Sequence, residues 1–212
     1  MKKRKLKNLK SLARQDDLSN LSREYNHVAD YYEGIMDVGI GLSPSSIHSN
    51  VDAKYMLVAQ DWSSSDTLEN SDEEGILHRA KTGRGPKVKT NELLDSYVRD
   101  CGIEGETYLA NAFGPFIKKG SMNAPIPDKD IQYCVENYVS KEVEIQDPEI
   151  VLLLGKKSAD AFRKYHRVDS DCEEFSDQSG RRYVVLPHPG MMGTNLNGGY
   201  DKVLRKWKEV TA

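Results

Sequence analysis

The sequence predicts an α/β fold, a three-layer α/β/α arrangement around a central, mostly parallel four-stranded sheet. Three observations carry this. Short apolar runs at 55–59, 107–110, 149–154 and 182–186 alternate with amphipathic stretches long enough for helices. Each run breaks at its C-terminal end on a polar residue, glycine or proline. The third run, Glu149 to Leu154, is apolar almost throughout, as expected for a central strand covered on both faces.

The elements follow in order. Residues 1–15 read as a basic, flexible arm, because seven basic side chains (Lys2, Lys3, Arg4, Lys5, Lys7, Lys10, Arg14) stand there with no acidic one before Asp16. Residues 16–212 read as a single domain. A helix is expected over 16–36, capped by Asp16 or Asp17, with Leu18, Leu21, Tyr25, Val28, Tyr32 and Ile35 on one stripe. Residues 37–54 read as loop. The first strand, 55–59, ends at Gln60-Asp61, and 63–89 reads as a long polar loop. A helix from Thr90 carries Leu93, Leu94, Tyr97, Val98 and Cys101. The second strand breaks at Asn111, and 112–127 is a Gly/Pro-rich loop. Pro127-Asp128 opens a helix bearing Ile131, Cys134, Val135, Tyr138 and Val139. The third strand turns at Gly155-Lys156 into a helix with Ala159, Ala161 and Phe162. The fourth strand, 182–186, runs into Pro187-His188-Pro189, and a last helix spans about 199–210.

Composition bounds the function. The 212 residues hold 30 basic and 33 acidic side chains, a net charge of -3. This excludes a globally basic, histone-like nucleic-acid binder and an acidic disordered chain. Outside residues 1–14 the balance is 23 basic against 33 acidic, so the body is acidic. No apolar run reaches membrane-spanning length, and the N-terminus lacks the apolar stretch of a secretory signal. Cys101, Cys134 and Cys172 form no CxxC pair and read as reduced thiols, which suits a cytoplasmic compartment, or a nuclear one in a eukaryote. No Cys/His pair has metal-ligand spacing, so neither a metal nor another cofactor is expected.

In parallel sheets ligands bind beyond the carboxyl ends of the strands. Asp61, Asn111, Gly155 with Lys156, and His188 would therefore meet at one edge. Asp61 reads either as a turn residue or as a group that handles water at a reacting centre. Asn111 is a turn residue or a bidentate hydrogen bonder for an amide-like ring. His188 sits between two prolines that preset its backbone. Lys118, Lys119, Lys156 and Lys157 lie in loops on the same edge and read as solvated lysines or phosphate contacts. Trp62 is a core residue or a base-stacking platform.

Four stretches, in order, resemble the uracil-DNA glycosylase superfamily: Leu57-Val-Ala-Gln-Asp-Trp62, Tyr108-Leu-Ala-Asn-Ala112, Pro148-Glu-Ile-Val-Leu-Leu-Leu-Gly-Lys156 and Leu186-Pro-His-Pro-Gly190. The resemblance covers about residues 50–210, and the spacing is most similar to the branch that carries an iron–sulfur cluster. It implies a DNA repair hydrolase that removes uracil or a related damaged base by cutting the N-glycosidic bond of a flipped-out nucleotide. Asp61 would orient water and stabilise the sugar cation, and His188 would hydrogen-bond the leaving base. Asn111 would read the base edge, with Gln60, Trp62 and Ser63 beside it. Met191 or Met192 would enter the duplex as an apolar wedge. Departures are Trp62 for a proline, Ser63 where one branch has tyrosine, and Gly190 for serine. The usual stacking aromatic has no match at 83–90, where Gly85 and Pro86 stand. Only Cys134 matches a cluster cysteine, so no cluster is expected and Cys134 is given to the core. A monomer acting on DNA is the first expectation. The second is a catalytically altered relative that binds nucleic acid or a nucleotide.

Overall fold

The computed structural model describes residues 1–83 and 89–212. In chain order the elements are α1 (Lys2–Arg14), β1 (Asn26–His27), β2 (Tyr55–Ala59), α2 (Ser65–Glu69), α3 (Glu73–Thr82), α4 (Lys89–Asp100), β3 (Thr107–Asn111) and β4 (Phe116–Ile117). There follow α5 (Asp128–Cys134), α6 (Ser140–Gln146), β5 (Ile150–Leu154), α7 (Lys156–His166), β6 (Glu174–Ser176), β7 (Arg182–Leu186), α8 (Met191–Leu196) and α9 (Tyr200–Thr211). A π-helical turn, Val135–Val139, joins α5 to α6.

The main sheet has five strands in the order β3-β2-β5-β7-β6. Four are parallel, as expected, and β6 adds an antiparallel edge that the sequence reading does not anticipate. Strand β5 lies in the middle and buries all five residues, as its unbroken apolar sequence requires. On one face Met56, Val58, Val151 and Leu153 pack with Phe113, Phe116, Val139 and Phe162. On the other, Leu57, Leu152, Leu154 and Leu186 pack with Leu94, Tyr97, Val203 and Trp207. Tyr97 stacks between Tyr200 and Trp207, with ring centroids 4.7 and 5.5 Å away.

The N-terminal expectations need correction. Residues 1–15 are not a flexible arm: Lys2–Arg14 is a helix whose Leu6, Leu9 and Ala13 are buried. Lys10 is buried too, its Nζ donating to the carbonyls of Met36 (2.7 Å) and Gly39. The helix expected over 16–36 does not form. Asp16 and Asp17 accept from the backbone N–H of Leu18 and Ser19, local bonds that compete with a helix. Leu18 adopts φ +63°, and the chain continues as turns, β1 and two short 3-10 segments. The apolar periodicity nevertheless marks burial, since Leu21, Tyr25, Val28 and Ile35 all face the core. The expected 63–89 loop contains α2 and α3.

Candidate active site at the carboxyl edge of the sheet

Register places the strand ends side by side. Ala59 pairs with Asn111, and the N–H groups of Ala112 and Phe113 donate to the carbonyls of Ala59 (2.7 Å) and Gln60 (2.8 Å). This extends the β2–β3 ladder one step and holds Asp61 and Asn111 on adjacent exits. Gly155 N–H donates to Leu186 O at 2.8 Å, so the exit of β5 is tied to the last residue before Pro187-His188.

Asp61 is deeply engaged. Its Oδ1 accepts from the Gln60 side-chain amide at 2.9 Å. Its Oδ2 lies 2.8 Å from Lys118 Nζ, with the side chains of Lys118 and Asp61 only 4% and 8% exposed. The contact is an ion pair without ideal hydrogen-bond alignment, and Oδ2 has no other polar partner among the described residues. A second cation is close. The Arg79 guanidinium lies 5.4 Å from the Trp62 ring centroid and donates to Trp62 O at 2.9 Å. Burial lowers the Arg79 pKa from its ordinary value, and the negative charge of Asp61 opposes that shift.

Asn111 is buried, and its side-chain nitrogen donates to Ser43 Oγ at 2.8 Å. The loop bearing Ser43 is fixed from beneath. Glu142, fully buried, accepts from Leu42 N–H (2.8 Å) and from Tyr108 Oη (2.7 Å) through one oxygen. Gly41 makes the approach possible: a Cβ there would come within 1.7 Å of Tyr108 Oη. Burial pushes the Glu142 carboxyl up, against the opposing hydrogen bonds and Lys10.

His188 is half-buried, and its Nδ1 accepts from Gly190 N–H at 3.1 Å. That bond assigns the neutral ring's proton to Nε2, leaving Nε2 as a donor. Burial pulls the imidazole below its ordinary value, with Asp61 acting in the opposite sense. Two glycines crowd the ring from either side. A Cβ at Gly155 (φ +92°) would sit 2.9 Å from His188 Cβ, and one at Gly190 would sit 3.0 Å from Nδ1. A side chain at Gly190 would be a tight fit against His188.

The other expected site residues divide. Lys118 is not a surface phosphate contact: it is buried against Asp61 and also donates to Met122 O at 2.6 Å. Trp62 is not an open platform, because Arg79 lies over its ring and its edge packs with the Val28, Ile35 and Ile117 cluster. Ser63 is wholly buried, and its hydroxyl lacks a partner among the described residues. Lys119 is half exposed and pairs with Glu24 at 2.7 Å. Lys156, 83% exposed, pairs with Asp160 at 2.8 Å, and Lys157 pairs with Asp128. Met191 and Met192 are 55% and 78% exposed on the short helix α8, beside the 80% exposed Leu196. Gly85 and Pro86 lie outside the described residues.

Cys134 is buried in the core, where burial pushes its thiol well up. Among the described residues no group of three or more His, Cys, Asp or Glu side chains is placed to hold a metal ion, and no helix is long and apolar enough to cross a membrane. Sequence reading missed the roles of Ser43, Arg79 and Glu142. Ser43 lies 68 positions from Asn111 and Arg79 lies 17 from Trp62, and no spacing signals either. The family model described as the Uracil DNA glycosylase superfamily matches residues 50–210, more than half of the chain.

Proposed function

The chain belongs to the uracil DNA glycosylase superfamily, and from that premise we propose that it is a DNA glycosylase that hydrolyses the N-glycosidic bond of uracil or a closely related base. The observation that carries the proposal is that three different functional groups stand at the carboxyl edge of one sheet: the Asp61 carboxylate after β2, the Asn111 amide at the end of the neighbouring β3, and the His188 imidazole after β7, which β5 separates from β2.

The chemistry follows from these groups. The target nucleotide leaves the base stack and enters the edge of the sheet. Asn111 has one side-chain N–H committed to Ser43. Its carbonyl and second N–H suit the alternating N–H and carbonyl edge of an imide ring, which cytosine lacks. As the C1′–N bond breaks, electrons move to the base and the sugar becomes cationic. Neutral His188 presents Nε2–H to a base carbonyl oxygen on which negative charge develops. Its lowered pKa keeps that neutral donor form available at pH 7. The Asp61 carboxylate faces the opposite charge, aligning water and stabilising the sugar cation. Water adds at C1′, and its proton is lost to solvent or to the departing base. Met191 and Met192, exposed on α8, have the apolar character of a wedge that fills the vacated stack. Lys156 and Lys157, in surface ion pairs worth little on their own, can exchange their carboxylate partners for phosphates.

The test is incubation with an oligonucleotide holding one uracil, followed by alkali. Strand cleavage at the uracil position is expected. No abasic product with uracil or any other altered base would overturn the proposal. One observation favours a second reading, a relative that binds nucleic acid without cutting. Both oxygens of Asp61 are already engaged, by Gln60 and Lys118. Salt-dependent DNA binding without abasic product supports that alternative.

A further inference from the structure

We propose that Lys118 is a positioning residue for Asp61, clamping the carboxylate from the turn after β4. The effect on catalysis rests on the glycosylase reading, whereas the clamp itself does not.

Four observations converge. Lys118 Nζ lies 2.8 Å from Asp61 Oδ2, and both side chains are withdrawn from solvent. The ammonium also donates to Met122 O at 2.6 Å, and the Lys118 side chain is almost fully buried, so the group is directed inward. The Lys118 backbone is locked to the segment that follows Asp61. Ser65 N–H donates to Lys118 O at 2.9 Å, Ser64 and Lys118 form a parallel bridge, and Gly120 N–H donates to Ser65 Oγ at 2.8 Å. Carboxylate and cation are therefore set on two short segments stitched together. Finally, β4 pairs with β1, and Ile117 packs among Val28, Ile35 and Met36. Residues before the family-matched region thus brace the strand that delivers the cation.

The consequence is orientation. A carboxylate offers about four lone-pair sites. Gln60 takes one on Oδ1 and Lys118 holds Oδ2 by charge, which restricts rotation and leaves a lone pair of Oδ1 to face a water. Misplacement of a reacting group by about 1 Å costs on the order of 10²-fold in rate. A lysine that contacted phosphate would act differently, through affinity and its salt dependence.

Single-turnover uracil excision and DNA binding across a salt series separate the two roles. Lys118→Met is expected to slow the saturated rate by roughly 10- to 100-fold while leaving the salt slope at the wild-type value. Lys118→Arg, which keeps the charge, is expected to recover part of the rate. A wild-type rate in Lys118→Met overturns the proposal. So does weaker binding with a slope reduced by about one and an unchanged saturated rate. Urea unfolding of wild type, Lys118→Met, Asp61→Asn and the double variant reads the clamp without activity. The double variant is expected to be no less stable than the weaker single variant. Losses that add overturn the clamp, even in a protein that releases no uracil. Coupling in such a protein supports the clamp and counts against the glycosylase reading alone.

Discussion

Strand β5 buries five consecutive residues between two helical layers. The segment 16–45 crosses the same molecule with a two-residue strand and short 3-10 turns. The first is held by apolar area, which scales with what is removed from water. The second adds single polar anchors to the burial of Leu21, Val28, Ile35 and Leu42. Asp130 takes Ser22 N–H, Ser22 Oγ and Tyr25 Oη; Glu142 takes Leu42 N–H; Lys10 holds two carbonyls. The sheet edge supplies Asp61, Asn111 and His188, but Ser43 and the β1 brace come from the irregular segment. A site that looks like the property of a parallel sheet therefore depends on a region without regular structure. Apolar area tolerates small changes, whereas a buried polar anchor fails when one partner is lost.

The comparison can be broken from the N-terminal side. Deleting residues 1–14 removes two buried leucines, Leu6 and Leu9, at about 1.5–3 kcal/mol each. A loss of roughly 3–6 kcal/mol in urea unfolding is expected. An unchanged midpoint would return α1 to the status of a dispensable arm. Glu142→Ala leaves Leu42 N–H and Tyr108 Oη without their acceptor and removes the larger of the two negative charges acting on Lys10. It should cost about 3–5 kcal/mol, with Glu142→Gln, which keeps an acceptor, nearer to wild type. Equal stability of the alanine and glutamine variants would show that the anchor carries nothing.

A smaller effect sharpens the same contrast. Burial pulls the Lys10 ammonium from 10.5 down to about 8, against the charges of Glu142 and Asp37. Between these values the unfolded chain holds a proton that the folded chain does not, so this group's contribution to stability rises as pH rises through that window. Wild type should gain on Lys10→Met by roughly 2 kcal/mol between pH 8 and 10, about one and a half units of pKa difference. A constant gap across that range would contradict the burial of a strained ammonium. The smallest effect belongs to the surface. Lys156→Ala and Lys157→Ala should change stability by less than about 0.5 kcal/mol. Each should lower the salt slope of DNA binding by about one.

The contrast also explains what the sequence discloses. The parallel sense of β2, β3, β5 and β7 is legible because short apolar runs followed by Asp61, Asn111, Gly155 and His188 repeat one grammar. Helix α4 is legible because Leu94, Tyr97 and Val98 share a face. Strand β6 is not, since Glu174-Phe-Ser176 buries a single residue. The charge of α1 masks a stripe of Leu6, Leu9 and Ala13 at helical spacing, so the tail reads as solvated when only its outer face is. The stripe at 18–35 reports burial correctly and conformation wrongly, because Asp16 and Asp17 spend their oxygens on local turns. Lys118 is the sharpest case. Its partner lies 57 positions upstream, and nothing in Lys118-Lys119 says which lysine turns inward.

The central claim is that Asp61 and His188 act on one flipped nucleotide. Single-turnover excision of uracil by wild type, Asp61→Asn and His188→Ala, with DNA binding measured alongside, tests it most directly. Excision by wild type is expected to decline only as pH falls below the ordinary imidazole range, because protonating His188 Nδ1 breaks its bond from Gly190 N–H. Each variant is expected to lose on the order of 10²- to 10³-fold in rate while still binding DNA. Uracil left in place by the wild type, or released at the wild-type rate by either variant, would contradict the account.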